Sequence, residues 1–283
     1  MFTKYSTIQE VLNTMPNSRL LFPVDRSIPL DMTLEELSTS NVYIWYSFID
    51  PNKTVEIINT LYLSKHQYFY NIYSEQEREK DPTKQDTGLY FFKGKLNKPY
   101  AICNAGGGFM YVGALHDSFP HALEINKHGY NSFVLIYRVD HPFEDLYNAI
   151  KYIYDYYDLL GVDRNHYSLW GGSAGARMAA SLGNKQTLDN LGGHLPQCDA
   201  VIMQYTGYNR VSKYDAPTYV CVGTNDGIAD YKRMKHRLDR LNNLGIDTEY
   251  HAYQGLPHGF GLGTGTIAQG WIEDAINFWE SHM

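Results

Sequence analysis

Five consecutive residues, Gly171-Gly172-Ser173-Ala174-Gly175, carry the clearest chemical signal in the chain. A serine hydroxyl is a weak nucleophile unless a base takes its proton and an acid orients that base. The apolar run 166–170 before it reads as a strand, and residues 176–182 after it have helical composition. A G-x-S-x-G segment at such a strand-to-helix turn holds the serine oxygen out at the strand end, and glycine at the flanks permits so tight a turn. Partners for the serine stand downstream. Asp226 follows the apolar run 218–222 beside Gly227, and His258 follows the run 248–253 in a Gly-Leu-Pro-His-Gly-Phe-Gly loop. Asp230, four residues beyond Asp226, could reach the same space. The order Ser, Asp, His along the chain suits acyl transfer through a covalent intermediate.

That chemistry develops negative charge on a carbonyl oxygen and needs backbone N–H groups aimed at one point. Asn104-Ala105-Gly106-Gly107-Gly108-Phe109, directly after the run 100–103, can supply them, and the N–H of Ala174 would add another. The glycines would serve equally as a structural tight turn, and the two roles are compatible.

These loops need a scaffold. From residue 88 onward, strand-like runs at 100–104, 132–139, 167–170, 200–205, 218–222 and 248–253 alternate with segments of helical period. Residues 119–127 end at Gly129; Leu146, Ile150, Ile153 and Tyr157 recur at helical steps, as do Tyr231, Met234, Leu238 and Leu241 before Gly245. Trp271, Ala275 and Phe278 mark a last helix. Such alternation implies an α/β fold, a mostly parallel central sheet with helices on both faces, with catalytic loops at the carboxyl ends of the strands.

Residues 1–87 read as an N-terminal extension that completes the sheet edge or overhangs the site, and residues 88–283 as the catalytic core, within one structural domain overall. Thr7 to Glu10 and Thr33 to Glu36 have the capping-box spacing of helix starts. Between residues 41 and 73 a Tyr-, Ile- and Val-rich composition around Pro51-Asn52-Lys53 suggests a hairpin and a further strand, and residues 75–86 a loop. Tyr43, Trp45, Tyr46 and Phe48 fit strand packing better than a cage around substrate.

With this arrangement the chain resembles the α/β-hydrolase superfamily, in particular the hormone-sensitive-lipase-like esterases and the bacterial acetyl-xylan or feruloyl esterases. The resemblance covers about residues 89–283. It rests on Ala105-Gly-Gly-Gly-Phe109, Tyr137-Arg138-Val139, Gly171 to Gly175, Asp226 and Leu256-Pro-His258-Gly-Phe260. It implies Ser173 as nucleophile, Asp226 as acid, His258 as base, and Gly107, Gly108 and Ala174 as oxyanion donors. It also implies small ester substrates, with a tilt toward acetyl or hydroxycinnamoyl esters of carbohydrates. Two positions depart from it. Ala105 stands where lipase-like relatives carry histidine, and Arg177 where the residue is often small or histidine; Arg177 either lines the pocket or points into solvent.

Composition narrows the alternatives. The chain has 283 residues, 43% hydrophobic and 19% charged, enough for a packed core. Its formal charge of −7 gives no footprint for nucleic acid or an anionic membrane, and the basic run Lys232, Arg233, Lys235, Arg237 reads as a solvated helix face. No zinc-type spacing and no phosphate loop is present, so neither cofactor nor metal is expected. The start does not read as a signal peptide, and Cys103, Cys198 and Cys221 fit reduced thiols, which together suggest a cytoplasmic protein. A peptidase of the same fold, or a catalytically silent binding protein that keeps it, would share these features. The 25 Tyr, 12 Phe and 4 Trp are in excess, and a ring of Tyr147, Tyr152, Tyr154, Tyr156 and Tyr157 around one helix should leave some exposed, toward a ring-shaped substrate or a partner in a homo-oligomer.

Overall fold

A computed structural model describes the whole chain except Ser47, Phe48 and Gly193. Its described residues form one eight-stranded sheet: β1 (Phe69–Tyr70), β2 (Gly88–Phe92), β3 (Lys98–Asn104), β4 (Asn131–Ile136), β5 (Val162–Gly172), β6 (Ala200–Gln204), β7 (Thr218–Gly223) and β8 (Thr248–Tyr253). The spatial order is β1-β2-β4-β3-β5-β6-β7-β8. From β4 to β8 all neighbours are parallel, while β2 runs antiparallel to β4 and to β1 at the edge.

Strands β2, β4, β6 and β7 are buried along their whole length, which is why they read as near-continuous apolar runs. Successive residues of β5 show the two covered faces. Trp170 packs near Trp271 of the helix Trp271–Glu280, at 6.2 Å between ring centroids. Gly171, the next residue, points the other way, into the helix Ala174–Leu182: a Cβ there would lie 2.2 Å from the Gly175 carbonyl carbon. Strand side chains alternate between faces, so the two helices cover opposite sides of the sheet.

The N-terminal part corrects three expectations. Pro51-Asn52-Lys53 opens the helix Pro51–Tyr62 instead of turning a hairpin. Asp50 accepts the Asn52 N–H at 2.9 Å as N-cap, and proline fits the first turn, where its missing N–H costs nothing. The signals of a turn and of a helix start share these residue types, and an amphipathic run after Pro51 decides for the helix. Residues 75–86 are likewise not a plain loop: Ser74 and Glu77 form a capping box for the helix Glu75–Lys80, and a 3₁₀ turn follows at Pro82–Gln85. The capping boxes at Thr7 and Thr33 are present. Tyr43, Trp45 and Tyr46 belong to no strand; Phe48 lies outside the described residues. Among the described residues no helix is long and apolar enough to cross a membrane.

Candidate active site

Ser173 stands between the last residue of β5 and the first of the helix Ala174–Leu182, at φ 50° and ψ −113°. That conformation is costly for a residue with a Cβ, by about 1–3 kcal/mol, and is kept only where the surroundings over-determine it. They do so here. The Ser173 N–H donates to the Gln204 carbonyl at 3.0 Å, pinning the turn to β6. Gly175 packs so closely on β3 that a Cβ would lie 2.1 Å from the Asn104 carbonyl oxygen. Ser173 remains half-buried.

Asp226 and His258 meet across the carboxyl ends of β7 and β8. The two loops are tied together by Asn225 N–H to the Leu256 carbonyl at 3.0 Å and Gly255 N–H to Thr224 Oγ1 at 2.8 Å. His258 Nδ1 lies 2.8 Å from Asp226 Oδ2, and the other carboxylate oxygen accepts the N–H groups of Ile228 and Ala229 at 2.8 and 2.7 Å. A carboxylate fully shielded from solvent and fixed by two amides can only accept, so it draws the histidine proton to Nδ1 and leaves Nε2 with a lone pair. Asp230 is elsewhere: it caps the helix Tyr231–Asn242, accepting the Lys232 N–H at 2.9 Å.

The glycine loop reaches Ser173 from β3. A Cβ at Gly106 would lie 3.0 Å from the Ser173 Cβ. Gly107 and Gly108 take φ of 126° and 63°, open to glycine and strained for other residues. The Gly106 N–H is committed to Asp117 Oδ2 at 2.7 Å, whereas no described residue accepts a hydrogen bond from Gly107 or Gly108 N–H. Tyr137 Oη steadies the loop from below by donating to the Ala105 carbonyl at 2.8 Å.

Asp117 is the organising group that sequence reasoning missed. Its carboxylate is fully buried and accepts from Gly106 N–H, from Tyr46 Oη at 2.9 Å and from Tyr205 Oη. Tyr205 sits just past β6 at φ 32°, and its ring lies 4.9 Å from that of His258. One carboxylate thus joins the loop beside the serine to the ring beside the histidine. Burial first, and then the Asp117 charge, pushes the phenols of Tyr46 and Tyr205 well above their ordinary range, which keeps both as donors. The one sequence signal was a carboxylate between Leu115 and Phe119.

His116 is a second missed residue. Its Nε2 lies 2.7 Å from the Gly259 carbonyl, which can only accept, so Nε2 carries the proton. Burial holds its pKa below the ordinary value against the pull of Asp117. Gln204 Nε2 and Trp271 Nε1 both donate to the Gly261 carbonyl, at 2.9 and 3.0 Å, so the histidine loop is fixed at two points past His258. Arg177 is exposed, with its guanidinium 6.0 Å from the Phe109 ring centroid. It stands at the rim beside the glycine loop.

No protein-family model and no curated protein sequence matches this chain. Solved structures do. The chain is similar to an acetyl ester-xyloside bifunctional hydrolase from Caldicellulosiruptor lactoaceticus, with a TM-score of 0.64 and 19% identity over 77% of this chain and 97% of the other. It is also similar to an α/β hydrolase enzyme from a Medee basin deep-sea metagenome library, with a TM-score of 0.58 and 21% identity over 69% of this chain and 92% of that one. A propionate-bound thermophilic esterase from the planctomycete Thermogutta terrifontis aligns with a TM-score of 0.57 and 20% identity over 69% and 89% of the two chains. Sheet order, strand-to-helix turn and these neighbours agree: the chain has the α/β-hydrolase fold.

Proposed function

We propose that the protein is a serine carboxylesterase acting on small esters, with acetyl or hydroxycinnamoyl esters of carbohydrates as the favoured class. The observation that carries the reading is the His258–Asp226 pair at 2.8 Å in a site where a serine is held at φ 50° beside a glycine loop. A turn of that strain is kept where an exposed hydroxyl is needed. The names of the similar structures, an acetyl ester-xyloside hydrolase and an esterase, support the substrate class.

In this mechanism Ser173 Oγ attacks the ester carbonyl as His258 Nε2 takes its proton, and Asp226 stabilises the imidazolium. The carbonyl π electrons move to oxygen, and the resulting charge is met by the N–H groups of Gly107, Gly108 and Ala174. The intermediate collapses, the C–O bond to the alcohol breaks, and His258 returns its proton to the leaving alkoxide. Water, deprotonated by His258, then attacks the acyl carbon and releases the acid and free Ser173.

Purified protein should hydrolyse short-chain aryl esters and react with a fluorophosphonate probe. Ser173→Ala should lose turnover by about 10⁴-fold or more and lose all labelling. Turnover that survives unchanged in Ser173→Ala overturns the mechanism.

A further inference from the structure

Resting on the esterase reading, the strongest unassigned feature is the indole of Trp45. Of the four tryptophans, Trp170, Trp271 and Trp279 are at most 1% exposed, while Trp45 is 42% exposed. Its backbone is held at φ 74°, a conformation that costs energy for a bulky residue and therefore points to a fixed purpose. Its neighbours on the chain explain how it is held. Tyr46 packs on Gly259 of the histidine loop, where a Cβ would lie 2.7 Å from the ring, and hydrogen-bonds Asp117; Tyr111 Oη donates to the Ile44 carbonyl. Residues 44–46 are thereby wedged between the glycine loop and the histidine loop.

The indole itself lies over the glycine loop. A Cβ at Gly108 would meet Trp45 Cη2 at 2.8 Å and Cζ3 at 3.0 Å. Tyr111 lies nearly parallel to the indole, offset at 6.0 Å between ring centroids and 15° between planes, and covers part of one face, while 42% of Trp45 stays open to solvent. Met110, 57% exposed, and the exposed Arg177 stand on the same glycine-loop rim.

We propose that the open face of Trp45 is the platform on which the pyranose ring of an acetylated sugar stacks while its ester carbonyl points at Gly107 and Gly108. A pyranose presents an apolar C–H face and an edge of hydroxyls, so it gains from a flat aromatic surface and still keeps its hydroxyls in water. A half-exposed indole at an open rim suits that balance. An aryl or alkyl chain would instead favour a surface enclosed on both sides. With an acetyl group on the acyl side, the ring can lie only on the alcohol side. Trp45 is then a specificity-determining residue for the alcohol.

Two measurements test this. The first is binding of a monoacetylated methyl xylopyranoside to the Ser173→Ala protein, measured by isothermal titration calorimetry, with acrylamide quenching of tryptophan fluorescence read on the protein that keeps Trp45. The sugar should shield the accessible indole, and Trp45→Ala in the same background should weaken binding tenfold or more, with Trp45→Phe in between. No shielding, or equal binding by the Trp45→Ala protein, overturns the platform whether or not the protein hydrolyses esters. The second compares kcat/KM for the acetylated pyranoside, ethyl acetate and ethyl ferulate with Ser173 intact. The ratio of pyranoside to ethyl acetate should fall about tenfold in Trp45→Ala and partly recover in Trp45→Phe. An unchanged ratio, or a loss confined to ethyl ferulate, overturns the proposal. Sugar binding with no turnover of any ester would leave the platform standing and remove the esterase reading alone. Thermal melts of both variants establish that each is folded.

Discussion

The Asp117 carboxylate accepts the Gly106 N–H at 2.7 Å, eleven residues back along the chain, and through Tyr205 it reaches the ring that lies against His258. The glycine loop and the histidine loop are therefore not independently placed. Both rest on one buried carboxylate that hydrogen-bonds neither Ser173 nor His258.

Asp117→Asn should expose that dependence. An amide keeps one accepting oxygen and turns an NH₂ group toward donors, leaving at least one buried donor unsatisfied at a cost of about 1–3 kcal/mol. The expected outcome is a lower melting temperature together with a fall in kcat of about 10- to 100-fold, as the amides of Gly107 and Gly108 lose their alignment. A variant that is less stable but has unchanged kcat would show that Asp117 serves packing alone.

Asp226 and Asp230 separate cleanly in the structure, and kinetics should separate them too. Asp226→Asn removes the acceptor that holds the His258 tautomer and should lower kcat by about 10³- to 10⁴-fold. Asp230→Asn keeps a competent helix cap and should change kcat less than threefold. The reverse order would displace Asp226 from its assigned role.

Gly175→Ala, with Gly227→Ala as its control, tests the tightness of the turn at Ser173. In Gly175→Ala the new methyl would lie 2.1 Å from the Asn104 carbonyl oxygen, inside the backbone of β3, so the helix must move away from the sheet. A loss of several kcal/mol, seen as a large drop in melting temperature or as insoluble protein, is expected. Gly227→Ala meets nothing within 4 Å and has no positive φ, and its melting temperature should stay within about 2 °C of the parent.

His121 should make stability depend on pH. It is 1% exposed, packed edge-on against Trp271, and burial pushes its pKa down to about 4. In the unfolded chain it titrates near 6.5, so between those values the folded state binds fewer protons and stability falls as pH falls. From pH 7 to pH 4 this single group removes about 3 kcal/mol. His121→Gln should melt lower at pH 7 and lose less on acidification, so the two melting curves converge toward pH 4. Parallel curves would show that other groups govern the acid limb.

The covalent sequence was sufficient for the parts that local physics controls. Buried stretches of parallel strand must be largely apolar, so β4, β6, β7 and the buried carboxyl-terminal parts of β3 and β5 stood out, and β8 was bounded by turns. The G-G-S-A-G turn was legible because close contact with Asn104 and Asp117 excludes any Cβ at Gly175 and Gly172, and such exclusion writes glycine into the chain. Asp226 and His258 were legible because each follows a strand end. Residues 44–62 were not, since Asp-Pro-Asn serves a turn and a helix start alike, and an aromatic-rich run does not state what it packs against.

Tertiary structure alone decided the rest. Asp117 looks like any helical aspartate until Tyr46, Gly106 and Tyr205, at separations of 71, 11 and 88 residues, converge on it. Likewise, of three neighbouring aromatics, Tyr43 and Tyr46 are buried and Trp45 is turned outward over Gly108. Long-range placement of polar groups leaves no periodic trace in a chain, because each contact is set by where two distant loops meet.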